Sequence, residues 1–216
     1  MSKCNTNENY IHSCNCPLVK ADEHICSFSK IGFRSEEFYD IIEFYLLKAP
    51  IQKSDAEKQF GLTKLGEYGW VGNAGMSKLE RELLKSSGIS SFCFIKADTI
   101  SETLEQMQLG NERWCVEHPR AVLKQDFKVK LHENGRVEII GQEKRMECLF
   151  RHIRNSIAHN HIYYFENGNM VLEDVDNQSK KTVTARILIR KETLIDWMYI
   201  IKKNILIEGD KINGSI

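Results

Sequence analysis

The chain lacks an excess of charge of either sign, because 30 lysines and arginines balance 30 aspartates and glutamates over 216 residues. A neutral total excludes the strong overall positive field of many nucleic-acid-binding proteins, although it allows a local basic surface. The C-terminal half is locally basic. With 42% hydrophobic and 28% charged residues, the composition is that of a globular domain long enough to bury a core.

The sequence also lacks any apolar run near the roughly 20 residues that a membrane-spanning helix requires. Its opening, "MSKCNTNENYIHSCNC", has no apolar stretch of the kind found in export signals. We therefore expect a cytoplasmic protein without a membrane partner, whose seven cysteines are reduced. Three of them lie in apolar surroundings and are expected to be buried thiols: Cys93, Cys115 and Cys148.

Several catalytic motifs are missing as well. The glycine-rich stretch 61–75 contains neither G-x-G-x-x-G nor a Walker lysine, which excludes a nucleotide cradle there. Its aromatic residues Tyr68 and Trp70 could stack on bases, but the pattern favours an ordered loop anchored to the core. No E-x-x-H cluster is present, and no local Ser–His–Asp or Cys–His arrangement. We therefore expect no cofactor and no metal-dependent catalysis.

Residues 1–30 are polar, rich in asparagine and without periodicity, which predicts a poorly ordered N-terminal arm. Residues 31–216 are expected to form a single domain. The arm contains sulfur and imidazole groups, the ligands of structural zinc, but their C-x-C and H-x-C spacing differs from the usual C-x2-C. The alternative to a zinc site is a flexible arm with free thiols. The residues concerned are His12, Cys14, Cys16, His24 and Cys26.

Hydrophobic periodicity predicts several helices and a few strands. Two β-hairpins are expected, with turns at Asn134-Gly135 and Asn167-Gly168, and a further strand over 182–189. Together these elements predict a mainly helical bundle with a small antiparallel sheet, which is an α+β architecture overall. The helices are expected over 35–49, 77–88, 98–110, 142–159 and 191–206.

The helix over 142–159 contains the densest polar cluster of the chain, "RHIRNSIAHNH" at 151–161. On a helix, its apolar residues form one stripe, and the arginine, asparagine and histidine side chains lie on other faces. Asn155 and His159 point nearly away from the stripe with His152 beside them, while Arg154 lies on the flank next to Arg151. The stripe comprises Met146, Leu149, Phe150, Ile153 and Ile157.

Arginine, asparagine and histidine together can cleave RNA without a metal. Histidine exchanges protons near neutral pH, arginine matches the oxygens of a phosphate, and asparagine can orient a hydroxyl or a phosphate oxygen. The 2′-hydroxyl of RNA can attack the neighbouring phosphodiester, and an arginine can stabilise the charge that develops. The alternative interpretation is a solvated polar face that makes only local hydrogen bonds.

The segment "RNSIAH" resembles the R-x4-6-H motif of the HEPN families, the higher eukaryotes and prokaryotes nucleotide-binding domains. The longer stretches "RMECLFRHIRNSIAHNHIYYFENGNMVLED" and "ARILIRKETLIDWM" look like the bacterial and plasmid-borne HEPN proteins that occur as small stand-alone chains. The resemblance covers about the last 120 residues. It gives no information on the first third of the chain.

The resemblance implies a helical bundle that forms a homodimer, with the two motif helices facing each other across a two-fold axis. It implies a metal-independent ribonuclease with Arg154 and His159 as the catalytic pair and Asn155 completing the motif. Arg151, His152 and His161 are near enough to contact RNA. Many such proteins act in toxin–antitoxin or phage-defence systems, which suggests an antitoxin or another defence partner. Some have lost catalysis and only bind RNA or nucleotide.

Overall fold

The computed structural model describes residues 16–24, 32–50, 64–95, 99–176 and 182–212. Six α-helices are labelled in chain order: α1 (Ser35–Ile42), α2 (Lys64–Glu67), α3 (Gly72–Ser87), α4 (Ile100–Gln106), α5 (Arg145–Ala158) and α6 (Glu192–Ile212). A π-helical turn, Glu43–Leu47, continues α1. Nine strands lie among them: β1 (Leu18–Lys20), β2 (Phe92–Ile95), β3 (Arg113–Cys115), β4 (Arg120–Lys124), β5 (Phe127–Leu131), β6 (Val137–Gln142), β7 (Ile162–Tyr164), β8 (Asn169–Asp176) and β9 (Thr182–Arg190).

A five-stranded mixed sheet in the order β2-β4-β9-β8-β7 forms the middle of the described fold. Strands β2 and β4 are parallel, and the other neighbours are antiparallel. Strand pairs β1–β3 and β5–β6 form two separate two-stranded sheets. The prediction of a mainly helical bundle with a small antiparallel sheet is therefore wrong, and the architecture is α+β.

Both faces of the large sheet are buried. Strands that are covered on two sides have continuous apolar sequences and do not alternate between apolar and polar residues, so periodicity does not predict them. Along β8, Met170 and Leu172 face the larger core with α3, α5 and α6. Val171, between them, faces the smaller core on the opposite side, which includes residues of α4 and the ring of Trp114.

The long periodic segments were predicted at nearly their observed positions. Helices α1, α3, α5 and α6 are confirmed, as are both hairpins and strand β9. The expectation of a loop over 61–75 is wrong for its described part: α2 lies within it, and Gly72 begins α3. The anchoring role of Trp70 is confirmed, because the buried indole donates a hydrogen bond of 3.0 Å to the carbonyl of Ile201.

Most of the predicted N-terminal arm lies outside the described residues. Its described part, residues 16–24, contains β1, which pairs antiparallel with β3. Within the described ranges, no helix is both long enough and apolar enough to cross a membrane.

Candidate functional site

Helix α5 carries the polar cluster and is held against the core along one side. All five residues of the predicted apolar stripe are buried, as expected from their i, i+3, i+4 spacing. Burial of several large side chains along 14 residues fixes the helix axis and its rotation. The polar side chains of α5 are therefore presented in a defined direction by a rigid element.

The helix ends in a Schellman motif that positions His159 at its C-cap. Asn160 adopts a left-handed conformation with φ of 56°, which asparagine tolerates better than most residues. The amide of Asn160 donates to the carbonyl of Ile157 (3.1 Å), and the amide of His161 donates to the carbonyl of Ser156 (2.9 Å). His159 is thereby left exposed at the end of the helix.

Arg154 and Asn155, the other two motif residues, are partly buried neighbours. Arg154 Nη1 lies 3.5 Å from Asn155 Oδ1, at the outer limit of a hydrogen bond. Throughout the part of the chain that the structure describes, Arg154 forms no ion pair with a carboxylate. Its positive charge is therefore not neutralised by the described residues and can meet an anion.

A buried carboxylate, Asp174 of β8, contacts the same stretch of α5. Its Oδ2 accepts hydrogen bonds from Asn155 Nδ2 (3.1 Å) and from the ring of His152 through Nδ1 (2.7 Å). Burial raises the pKa of Asp174, but the hydrogen bonds from His152 and Asn155 and the charge of Arg151 outweigh it. The net pKa of Asp174 therefore lies below its usual value, and the carboxylate is ionised at neutral pH.

The expectation that His152 lies beside Asn155 on an outward polar face is wrong. The His152 side chain is fully buried, and its Nε2 lies 2.8 Å from the carbonyl oxygen of Lys124. The side of α5 that His152 occupies is covered by β4 and β8. His152 consequently has no surface to offer to RNA and is left out of the proposed RNA contacts.

Arg151 is paired with carboxylates from the loops that flank the β5–β6 hairpin. Its guanidinium donates to both carboxylate oxygens of Glu143 (2.7 and 2.8 Å) and lies 3.2 Å from Asp126. Burial alone would raise the pKa of Glu143. The hydrogen bonds and the positive charge of Arg151 have a larger, opposite effect, so the net pKa of Glu143 lies below its usual value. The geometry favours a structural role for Arg151 over the predicted contact with RNA.

His161 lies close to His159 just beyond the helix. The two ring centroids are 6.1 Å apart and the ring planes are inclined by 36°. His161 is partly buried, and its Nδ1 is buried without a hydrogen-bond partner among the described residues. The structure thus places Arg154 beside Asn155, and His159 beside His161 where the helix ends. Arg151 and His152 point instead to Glu143, to the Lys124 carbonyl oxygen and to Asp174.

The residues considered for zinc are mostly outside the described residues, namely His12, Cys14 and Cys26. His24 Nδ1 lies 2.6 Å from the carbonyl oxygen of Ala21. Cys16 is disulfide-bonded, so the expectation that all cysteines are reduced is wrong for this residue. Within the described part, no group of three or more His, Cys, Asp or Glu residues is placed to hold a metal ion. The expected burial is confirmed for three cysteines that form no disulfide: Cys93, Cys115 and Cys148.

Two residues important to the site were missed from sequence, Asp174 and Glu143. The available signal for Asp174 was an acidic pair, Glu173-Asp174, in the middle of an apolar strand. A charged group in such a strand is buried only when it has partners. The partner, however, lies on a different element and is not apparent from local spacing.

Comparison with known protein families gives a match. The model of the family described as HEPN pEK499 p136 matches residues 80–204, which include α5 and the large sheet. Comparisons with curated proteins and with solved structures give no match.

Proposed function

The chain belongs to the HEPN family, and from this premise we propose that it is a metal-independent endoribonuclease. HEPN domains commonly bind RNA and form dimers, and the family includes ribonucleases. The match covers the whole of α5 and therefore the R-x4-H motif, Arg154 to His159.

The unpaired charge of Arg154 is the observation that carries this proposal. Arg151, one turn away, is bound to two carboxylates, whereas no described carboxylate pairs with Arg154. An arginine that is partly buried and lacks an ion-pair partner offers its fork of N–H donors to a phosphate. Asn155 beside it and His159 at the helix C-cap are the polar and proton-transferring groups that RNA cleavage requires.

In the proposed reaction, the 2′-oxygen of RNA forms a bond to the adjacent phosphorus while the bond from phosphorus to the 5′-oxygen breaks. His159 accepts the 2′-hydroxyl proton or donates a proton to the leaving 5′-oxygen. Arg154 binds the scissile phosphate and stabilises the negative charge that grows on it. Asn155 orients the guanidinium or a reacting oxygen. The products are a 2′,3′-cyclic phosphate and a 5′-hydroxyl.

The site is proposed to be completed by a second copy of the chain. The motif end of α5 is open, because His159 is exposed and Arg154 only partly buried. A two-fold axis would place a second arginine, asparagine and histidine opposite the first and enclose the reacting phosphate. His161, beside His159, is proposed to contact the RNA or to assist in proton transfer.

The test is cleavage of mixed RNA by the purified protein in the presence of EDTA. We expect products that end in 2′,3′-cyclic phosphate. Substitution of Arg154 or His159 by alanine should lower the cleavage rate by roughly two to four orders of magnitude. Arg81 and His118 are exposed residues outside α5, and their alanine variants serve as matched controls with the wild-type rate.

Wild-type cleavage by folded Arg154→Ala and His159→Ala variants would contradict the residue assignment. Binding of RNA without any product would favour the alternative function, an RNA- or nucleotide-binding HEPN module without catalysis. The proposed biological setting is a toxin or phage-defence system with an antitoxin or other partner. In that setting, expression of the wild-type chain should arrest cell growth, and expression of the His159→Ala variant should not.

A further inference from the structure

Asp174 is the only described carboxylate with a hydrogen bond to a motif residue. It reaches Asn155 from β8, on the sheet face that also carries Met170 and Leu172. The Asp174 side chain lies on an apolar strand, and the residue is only 4% exposed. Burial of a charged carboxylate destabilises the fold unless hydrogen bonds replace those that it made with water. An apolar side chain at this position would leave the His152 ring and the Asn155 amide without their acceptor.

The chemistry of the contact fixes the direction of the Asn155 amide. An ionised carboxylate can only accept hydrogen bonds, so Asn155 must turn its NH2 group toward Asp174. The amide oxygen is then on the opposite side, where it lies 3.5 Å from Arg154 Nη1. If the amide were reversed, it would present N–H donors to a cation and repel Arg154.

His152 holds the carboxylate in turn. Its buried ring is fixed between the Lys124 carbonyl oxygen and Asp174 Oδ2, at 2.8 and 2.7 Å. The hydrogen bond from Nδ1 prevents the carboxylate from rotating away from Asn155. The order of contacts therefore runs from β4 through His152, Asp174 and Asn155 to Arg154.

We propose that Asp174, held by His152, is a positioning residue that directs the Arg154 guanidinium through the amide of Asn155. This inference rests on the proposed ribonuclease function. Asp174 itself does not touch RNA. It sets the orientation of Asn155 before substrate binds, so that Arg154 is already placed for the phosphate in the transition state.

Two substitutions of Asp174 test whether its acceptor oxygen positions Asn155. Asp174→Leu removes the oxygen that accepts hydrogen bonds from both His152 and Asn155, and it should lower kcat roughly ten- to hundredfold with a smaller change in KM. Asp174→Asn keeps one amide oxygen that can accept both hydrogen bonds, and it should retain kcat to within about fivefold of wild type. Because Asp174 acts through Asn155, adding Asp174→Leu to Asn155→Ala should lower kcat no further.

Glu173→Gln is the matched control, because this buried carboxylate belongs to the same strand but pairs with Arg186 on the other sheet face. Its kcat should equal that of the wild type when the variant is folded. A folded Asp174→Leu variant, as judged by thermal unfolding, that keeps the wild-type kcat would overturn the positioning role, and so would a further loss of kcat when Asp174→Leu is added to Asn155→Ala.

A spectroscopic measurement tests the contact independently of activity. In 15N-labelled wild-type protein, the side-chain NH2 signal of Asn155 is identified by its loss in Asn155→Ala. We expect slow exchange with solvent and a clear shift in Asp174→Asn. Rapid exchange like that of an exposed asparagine would overturn the inference. Retention of the signal in a wild-type chain that cleaves no RNA would instead contradict the proposed function.

Discussion

Arg151 and Arg154 lie three residues apart on α5 and meet different partners. Arg151 is fixed by Glu143 and Asp126, which follow and precede the β5–β6 hairpin, whereas the one polar partner of Arg154 among the described residues is the amide of Asn155. The two guanidinium groups are chemically identical, so their roles follow from the presence or absence of a carboxylate within reach. The first stabilises the fold, and the second is proposed to serve the phosphate.

This difference predicts that the same substitution lowers the free energy of unfolding much more at position 151 than at position 154. Arg151→Gln removes a bidentate ion pair whose side chains are 24% and 12% exposed. We expect it to lower the free energy of unfolding by about 2 kcal/mol, as for hydrogen bonds to charged groups. Arg154→Gln should change it by less than about 0.5 kcal/mol. Urea unfolding followed by circular dichroism measures both values.

RNA affinity should show the reverse order in the same pair of variants. Folded Arg151→Gln should bind RNA like the wild type, while Arg154→Gln should bind more weakly because it has lost a phosphate contact. If Arg151→Gln weakened RNA binding without loss of stability, the structural assignment of Arg151 would be wrong and the original prediction of an RNA contact would stand.

The motif residues could be identified from sequence because their spacing is local. Arg154, Asn155 and His159 are on one helix, and the apolar stripe fixes which way the helix faces the core. His152 was misplaced because periodicity shows which residues share a side of a helix and not which strand covers that side. Asp174 was missed for the same reason, since its partnership with Asn155 crosses from strand to helix.

At the scale of elements, the end of α5 depends on one backbone conformation. Asn160 at φ 56° closes the Schellman motif and directs the chain into β7, which places His161 beside His159. A residue that cannot adopt the left-handed conformation would extend or fray the helix. The relative position of the two histidines is thus determined by the residue between them.

Asn160→Val and Asn160→Gly should therefore differ. Valine in the left-handed region costs roughly 1–2 kcal/mol, and this strain should lower the free energy of unfolding by a similar amount. Glycine adopts the conformation without strain and should leave stability within about 0.5 kcal/mol of wild type. Thermal or urea unfolding of the two variants checks the prediction. Equal stability of both variants would show that the helix end does not rely on the left-handed residue.

The elements that could be predicted share long, regular periodicity or a clear turn signal. Helix α5 and the hairpins that turn at Gly135 and Gly168 are of this kind. Strands β2 and β4 were missed because they are short and buried on both sides, so they show no alternation. At Gly72 and Gly75 a loop was predicted where a helix is present. Both residues belong to α3, because tertiary packing extends this helix through glycines that by themselves favour a loop.

At the scale of the whole molecule, the large sheet supports the motif helix from behind. Strands β4 and β8 both contact α5 through hydrogen bonds, to His152 and Asn155, so the helix cannot shift without disturbing the buried sheet. The motif end is the open end of this rigid arrangement. A second chain that meets it would therefore find Arg154 and His159 already in place.

If the active site forms between two copies, two inactive variants should restore activity when mixed. A chain with Arg154→Ala still supplies His159, and a chain with His159→Ala still supplies Arg154. Random pairing makes half of the dimers mixed, and each mixed dimer keeps one arginine–histidine pair across the two-fold axis. After joint refolding of equal amounts, we expect roughly a quarter of the wild-type cleavage rate per chain.

The matched control is Arg154→Ala mixed with the double variant Arg154→Ala/His159→Ala. This mixture contains no arginine at position 154 and should remain inactive. Absence of recovery in mixed dimers, demonstrated with two different affinity tags, would show that each chain uses its own arginine and histidine.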